Sequence, residues 1–255
     1  MEIISNFYTD VGIRKKTNED SLCLKVAKTS RGKIAMVVLC DGMGGLSKGE
    51  LASATAVRTF AIWFDKELPR LIQEFSMEQI QKKWEVLIQA LNYEIREYGR
   101  ENGIHLGTTL TAMLLVENEE LLIAHVGDSR VYEIKDELKI LTTDQTLVAR
   151  EVRRGLLTEK QAQVDPRRNV LLQCVGECKS VSPEFIRKRV EKNCTYMVCS
   201  DGFRHQITPN EIYEAFSPKG LGDESSIYEK EVYLVELCKR RMEKDNISVV
   251  VIRTF

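Results

Sequence analysis

Residues 36–45 read MVVLCDGMGG, five apolar or thiol side chains running into Asp41 and then three glycines in four positions. Such a run marks a buried strand, so something at the rim of the core must hold the carboxylate that ends it. Three other apolar runs meet an acid in a similar way. AHVGDSR and MVCSDGF end on Asp128 and Asp201, and in KDNISVVV the acid Asp245 precedes the strand. A single Asp-Gly is ordinarily a turn, because Asp bonds its own backbone and Gly accepts positive φ. A hairpin turn, however, needs a second strand at once, and both MGGLSKGELAS and FRHQITPNEI lead into helical patterns. Strand ends that converge crowd several carboxylates, which raise one another's pKa values unless a cation neutralises them. A set of Asp oxygens, a backbone carbonyl and water suits Mg2+ or Mn2+, and glycine after Asp41 leaves its carbonyl accessible to such an ion.

Working outward, strand-like runs occur at 21–27, 34–40, 109–116, 121–126, 130–134, 195–200 and 247–253. Helical periodicity predicts one helix over about 47–66 and another over about 77–100. In the second, Ile80, Trp84, Leu87, Ile88, Leu91, Ile95 and Tyr98 form a stripe that faces a sheet. A third helix is predicted around 225–242 with Ile227, Leu234, Cys238 and Met242 on one face, and a shorter one after Thr208-Pro209. Strands cluster in adjacent pairs with helices between the clusters, which favours antiparallel sheets covered by helices over a parallel βαβ fold.

The chain has 255 residues, no internal repeat and no Pro/Gly/Ser-rich linker, and one domain over 1–255 is expected. With 43% hydrophobic and 29% charged residues and a formal net charge of -1, it offers no general attraction to nucleic acid. Neither a signal peptide nor an 18-residue apolar run is present, so no membrane segment and a cytoplasmic location are expected. Seven cysteines, several inside apolar runs, read as reduced core thiols. The charged run at 187–192 reads as the solvated face of a strand. At the N-terminus, Arg14, Lys15 and Lys16 precede Asn18, Glu19 and Asp20. Alone this cluster is a solvated turn; beside a carboxylate metal site, a guanidinium offers a bidentate grip on a phosphate monoester.

Taken in order, TDVGIRKKTNEDS, LCDGMGG, GTTL at 107–110, HVGDSRVY, CSDGF and DNISVVV resemble the successive motifs of the PP2C-type (PPM) metal-dependent serine/threonine protein phosphatases, over essentially the whole chain. The resemblance is closest to bacterial stand-alone members. It implies an α+β fold, an αββα sandwich of two antiparallel sheets flanked by helices, with a flap over about 144–180. It also implies hydrolysis of phosphoserine and phosphothreonine by a water bridging two Mn2+ or Mg2+ ions. Carried over by motif, Asp41 bridges both metals, the carbonyl of Gly42 ligates one, and Asp201 and Asp245 complete the other. Glu19 and Asp20 ligate the metals or hold their waters, and Asp128 holds a third, weaker ion. Asp41 and Asp128 are thereby the acids implied in catalysis.

In the bacterial pattern the phosphate-binding arginine stands five residues before the motif's aspartate, which here is Lys15, while Arg14 stands six before. No histidine follows Gly42 to act as general acid. Phosphoserine and phosphothreonine proteins, among them a cognate Ser/Thr kinase, are the implied partners, and a monomer is expected. A catalytically weak phosphopeptide-binding module on the same fold is the alternative. An esterase built on Ser129 lacks a partner Asp-x-x-His, and GMGGLSKGE lacks the Gly-Lys-Ser/Thr of a P-loop.

Overall fold

The computed structural model describes residues 2–43, 48–73, 76–117 and 119–255. Its ten strands are β1 (Ile3–Asp10), β2 (Asp20–Thr29), β3 (Gly32–Asp41), β4 (Leu110–Val116), β5 (Glu120–Val126), β6 (Arg130–Ile134), β7 (Leu138–Ile140), β8 (Glu184–Arg189), β9 (Cys194–Cys199) and β10 (Ile247–Thr254). They form two antiparallel sheets, one in the order β1-β10-β9-β6-β7 and the other β2-β3-β4-β5-β8.

Three apolar layers follow from the period-2 alternation of these strands. In β3, Ala35, Val37 and Leu39 face Met113, Leu115, Val198, Val250 and Ile252 between the two sheets. Its other face, Ile34, Met36, Val38 and Cys40, packs against helices. Burial on both faces is why this strand reads as an unbroken apolar run although its sheet is antiparallel. The covering helices are α1 (Gly49–Lys66), α2 (Leu68–Leu71) and α3 (Met77–Asn102) on one side. On the other lie α6 (Asp201–Arg204), α7 (Pro209–Phe216) and α8 (Glu224–Arg240), with α4 (Leu147–Arg153) and α5 (Glu159–Val164) in the segment between β7 and β8.

Of the stripe predicted on α3, Ile80, Trp84, Ile88, Leu91 and Ile95 are buried, and Trp84 meets Phe60 and Trp63 edge-on at 5.3 and 5.5 Å. Tyr98 is instead 39% exposed. Met242 leaves the predicted face of the third helix altogether. That helix stops at Arg240, and Met242, at φ 65°, is exposed. The predicted helix start at Ser47 and the glycines Gly44 and Gly45 lie outside the described residues. All seven cysteines are free, five of them buried. No helix among the described residues is long and apolar enough to cross a membrane.

One buried group works against the packing. Glu231, on the buried side of α8, is fully enclosed, and neither carboxyl oxygen has a hydrogen-bond partner. Burial alone pushes it up from 4.5 to about 9. Because the raised value belongs to the folded state, folding takes up a proton between these limits. This group's contribution to stability is therefore intact below about pH 4.5 and is lost as pH rises toward 9. In urea unfolding, Glu231→Gln is expected to match the wild type near pH 4.5 and to exceed it by about 4–5 kcal/mol at pH 8. A stability gap that does not grow with pH would contradict the reading.

Candidate metal centre

Strand register collects the acids. Asp20 opens β2 and Asp41 closes β3, and the two are direct partners across the strand pair. In the neighbouring strands, Leu110 pairs with Val126, so the turn carrying Asp128 leaves β5 at this same end. In the other sheet, Cys199 pairs with Val249, which places Asp201, just past β9, beside Asp245 and Asn246, just before β10. Five aspartates thus stand at one end of the sandwich, contributed by both sheets.

Three of them are perturbed by burial and by one another. Burial, then Asp20, Asp201, Asp128 and Asp245, push the Asp41 carboxyl well above the usual carboxylate range. Asp20 is pushed up to about 7 by burial, eased by hydrogen bonds from Ser248 and Ser200, and raised again by Asp201 and Asp245. Asp128 also reaches about 7, through burial and Asp201, with the Arg204 guanidinium opposing. One carboxyl oxygen of Asp20 and one of Asp201 are buried with no hydrogen-bond partner.

Backbone geometry around the cluster is tightly specified. Gly42 donates to the Glu19 carbonyl at 3.1 Å, and a Cβ on Gly42 would stand 2.4 Å from the Gly49 carbonyl oxygen. No other residue fits between these two chains. Gly202 is equally confined, since its Cβ would meet the Asn246 carbonyl oxygen at 2.1 Å. The GTTL motif supplies the frame for Asp41. Thr108 Oγ1 donates to the Asp41 carbonyl at 3.0 Å, and the Asp41 amide donates to Thr109 Oγ1 at 2.9 Å.

Positive charge surrounds the acids. Lys15 Nζ lies 2.9 Å from Glu19 Oε2 and 3.1 Å from Asp245 Oδ1. Burial lowers its pKa, but the bonds to Glu19 and Asp245 outweigh this and hold the ammonium charged. Of the two candidate phosphate ligands, Lys15 is therefore engaged by predicted metal ligands, whereas exposed Arg14 lines an adjoining cleft of about 570 Å³ with Lys15 and Asp245. Arg204 donates to the Asp128 carbonyl at 3.0 Å and approaches its carboxylate at 3.5 Å. Arg130 grips Asp144 through two bonds of 2.8 and 2.7 Å. His205 stands 3.7 Å from Asp201 and 3.8 Å from Glu243.

Several of these groups carry no role in the sequence reading. Asn246 ties the N-terminal loop down, accepting from the Glu19 amide at 2.9 Å and donating to the Val11 and Thr17 carbonyls. Ser248 donates to Asp20 Oδ2 at 2.7 Å. Asp144 is the counter-ion of both Arg130 and Arg204. The only sequence signal for Asn246 and Ser248 is their place at the start of DNISVVV, one and three residues after Asp245, and nothing marks Asp144.

The donor set fits a hard divalent cation. It is all oxygen, carries an excess of negative charge, and leaves buried carboxyl oxygens unsatisfied, which a polar interior otherwise avoids. Among the described residues no three His, Cys, Asp or Glu side chains converge as a finished ligand cage. Lys15 bridges two of the acids, Glu19 and Asp245.

The same two-sheet sandwich is found in solved serine/threonine phosphatases. Residues 13–223 match the family model for protein phosphatase 2C. Over 255 residues the chain is 28% identical to protein phosphatase PhpP of Streptococcus pneumoniae serotype 2, spanning 99% of this chain and 97% of that one. It superposes on serine/threonine phosphatase Stp1 from Staphylococcus aureus with a TM-score of 0.86 at 27% identity, covering 100% of this chain and 96% of the other. The catalytic domain of serine/threonine protein phosphatase PstP, solved in complex with two manganese ions, aligns with a TM-score of 0.77 at 28% identity over 99% of each chain. The chain belongs to the protein phosphatase 2C family.

Removing one carboxylate from a crowded, metal-free cluster relieves repulsion. Asp41→Asn is expected to raise the melting temperature in EDTA by about 2–6 °C in scanning calorimetry. A lowered melting temperature would mean that this carboxylate is a structural hydrogen-bonding group instead.

Proposed function

We propose that this phosphatase hydrolyses phosphoserine and phosphothreonine in proteins and depends on two divalent ions, Mn2+ or Mg2+. The observation that carries the reading is the cross-strand pair Asp20–Asp41, with Asp201 and Asp245 brought beside it from the other sheet. In this reading Asp41 would contribute to holding both ions, the Gly42 carbonyl would serve one, and Asp201 and Asp245 would hold the other. Glu19 and Asp20 ligate or orient waters, and Asp128 serves a third, weaker site.

When bound, the ions supply an acidified water as nucleophile and neutralise charge on the phosphoryl oxygens. The remaining work falls to the chain. Thr108 and Thr109 fix the backbone of Asp41 through both its carbonyl and its amide, so the carboxylate is aimed before substrate arrives. Asn246 pins the loop that carries Lys15 and Glu19. Arg14, with no partner among the described residues, is the group available to grip the phosphate, and Lys15, paired with Glu19 and Asp245 beside it, adds a point charge to the same cleft. Arg204, anchored on Asp144, sets the position of Asp128. A Ser/Thr kinase and its substrates are the phosphoproteins we assign to this site, and the chain acts as a monomer.

The test is phosphate release from a phosphothreonine peptide with Mn2+, Mg2+ or EDTA. Turnover is expected with either ion, none in EDTA, and a loss of about 100-fold or more in Asp41→Asn. Turnover that survives both EDTA and the substitution would overturn the metal-dependent scheme.

A further inference from the structure

The cleft of about 570 Å³ that opens onto Asp245 is lined by more positive charge than one phosphate needs. Arg14, Lys15, Arg168 and Lys244 all face it. Its two acids are already engaged. Asp245 is paired with Lys15, and Glu243 Oε1 accepts the backbone amides of Lys244 and Asp245 while Oε2 faces His205. The side chains of Arg168 and Lys244, by contrast, make no hydrogen bond or ion pair among the described residues.

Arg168 is delivered by the segment between β7 and β8, and that segment is braced where it matters. Arg167 bonds Asp165 and Glu151, the Arg168 amide donates to the Asp165 carbonyl at 3.0 Å, and Leu147 donates to the Val170 carbonyl at 2.8 Å. Lys244 is set one residue before Asp245 by the turn that Glu243 caps. Two unpaired cations from distant parts of the chain thus flank one cleft on fixed backbone.

We infer that Arg168 and Lys244 form a second anion subsite, which selects phosphorylated segments carrying another negative group close to the scissile phosphate. This rests on the phosphatase reading and adds a substrate preference to it. Extended chain advances about 3.3 Å per residue, so a negative side chain two or three residues from the phosphorylated one lies roughly 7–10 Å along the chain, and the second group is sought within that span. The second anion is a carboxylate or another phosphate, and both satisfy the same two cations. Because the cations are exposed, their effect is screened by salt and is exerted on substrate capture rather than on the chemical step.

The experiment compares three phosphothreonine peptides of one sequence: neutral flanks, glutamates two and three residues from the phosphothreonine, or a second phosphothreonine there. Both kcat and KM are measured with Mn2+ at low and at 0.5 M salt. Dissociation constants of the matching non-hydrolysable phosphonate peptides come from fluorescence anisotropy. The wild type is expected to favour an anionic flank by about tenfold in kcat/KM, carried by KM and matched in the dissociation constant, and to lose most of this at 0.5 M salt. The Arg168→Ala/Lys244→Ala double variant is expected to bring the ratio close to one, and Arg168→Glu/Lys244→Glu to reverse it. Comparing the glutamate and diphosphorylated peptides tells which anion the subsite takes.

Equal treatment of the peptides by the wild type, or a preference that survives in the double variant, would overturn the subsite and leave the phosphatase reading standing. Release of phosphate from none of the peptides would overturn both.

Discussion

Asp20 and Asp41 face each other across β2 and β3 at the rim of a core that is otherwise apolar. Burial raises both carboxyls, Asp201 raises each further, and Asp20 adds its own repulsion to Asp41. Nothing in the packing of the sandwich calls for this pair. Much of the surrounding structure can be understood as what holds it in place. Two threonines clamp the Asp41 backbone, Ser248 bonds Asp20 from the other sheet, and Gly42 leaves room for Glu19 and Gly49 to pass at contact distance.

The compensating charges are arranged unevenly. Lys15 answers Glu19 and Asp245 at the open side, with a long, half-buried side chain. Arg204 answers Asp128 from inside, fixed by Asp144, and is the less replaceable of the two. The Asp20–Asp41 pair itself has no cation partner among the described residues beyond these neighbours, and its unsatisfied oxygen is the strongest structural argument for a divalent ion.

Most of the sandwich was legible because β3, β4, β9 and β10 are buried along their length and announce themselves as apolar runs. The edge strand β1 was not, since IISNFYTD alternates without strong hydrophobicity, and β7 is three residues long. The short helices α4 and α5 carry too few apolar residues to set a period; their N-caps, Thr146 and Thr158, were the available signal. At the site, the acids stood out because each interrupts a strand end. Asn246, Ser248 and Asp144 did not, because a hydrogen bond between groups 227 positions apart, as from Glu19 to Asn246, leaves no trace in local spacing. Charge type was readable and charge pairing was not: Lys15, expected to meet phosphate, is held by two of the acids.

The most direct measurement is diffraction at the manganese absorption edge from crystals grown with Mn2+. Two anomalous peaks are expected at the end of the sandwich, sharing the Asp41 carboxylate, with one in reach of the Gly42 carbonyl and Lys15 displaced from Glu19 or Asp245. No peak beside Asp41, or manganese bound only elsewhere on the chain, would contradict the view that the buried carboxylates exist to hold metal.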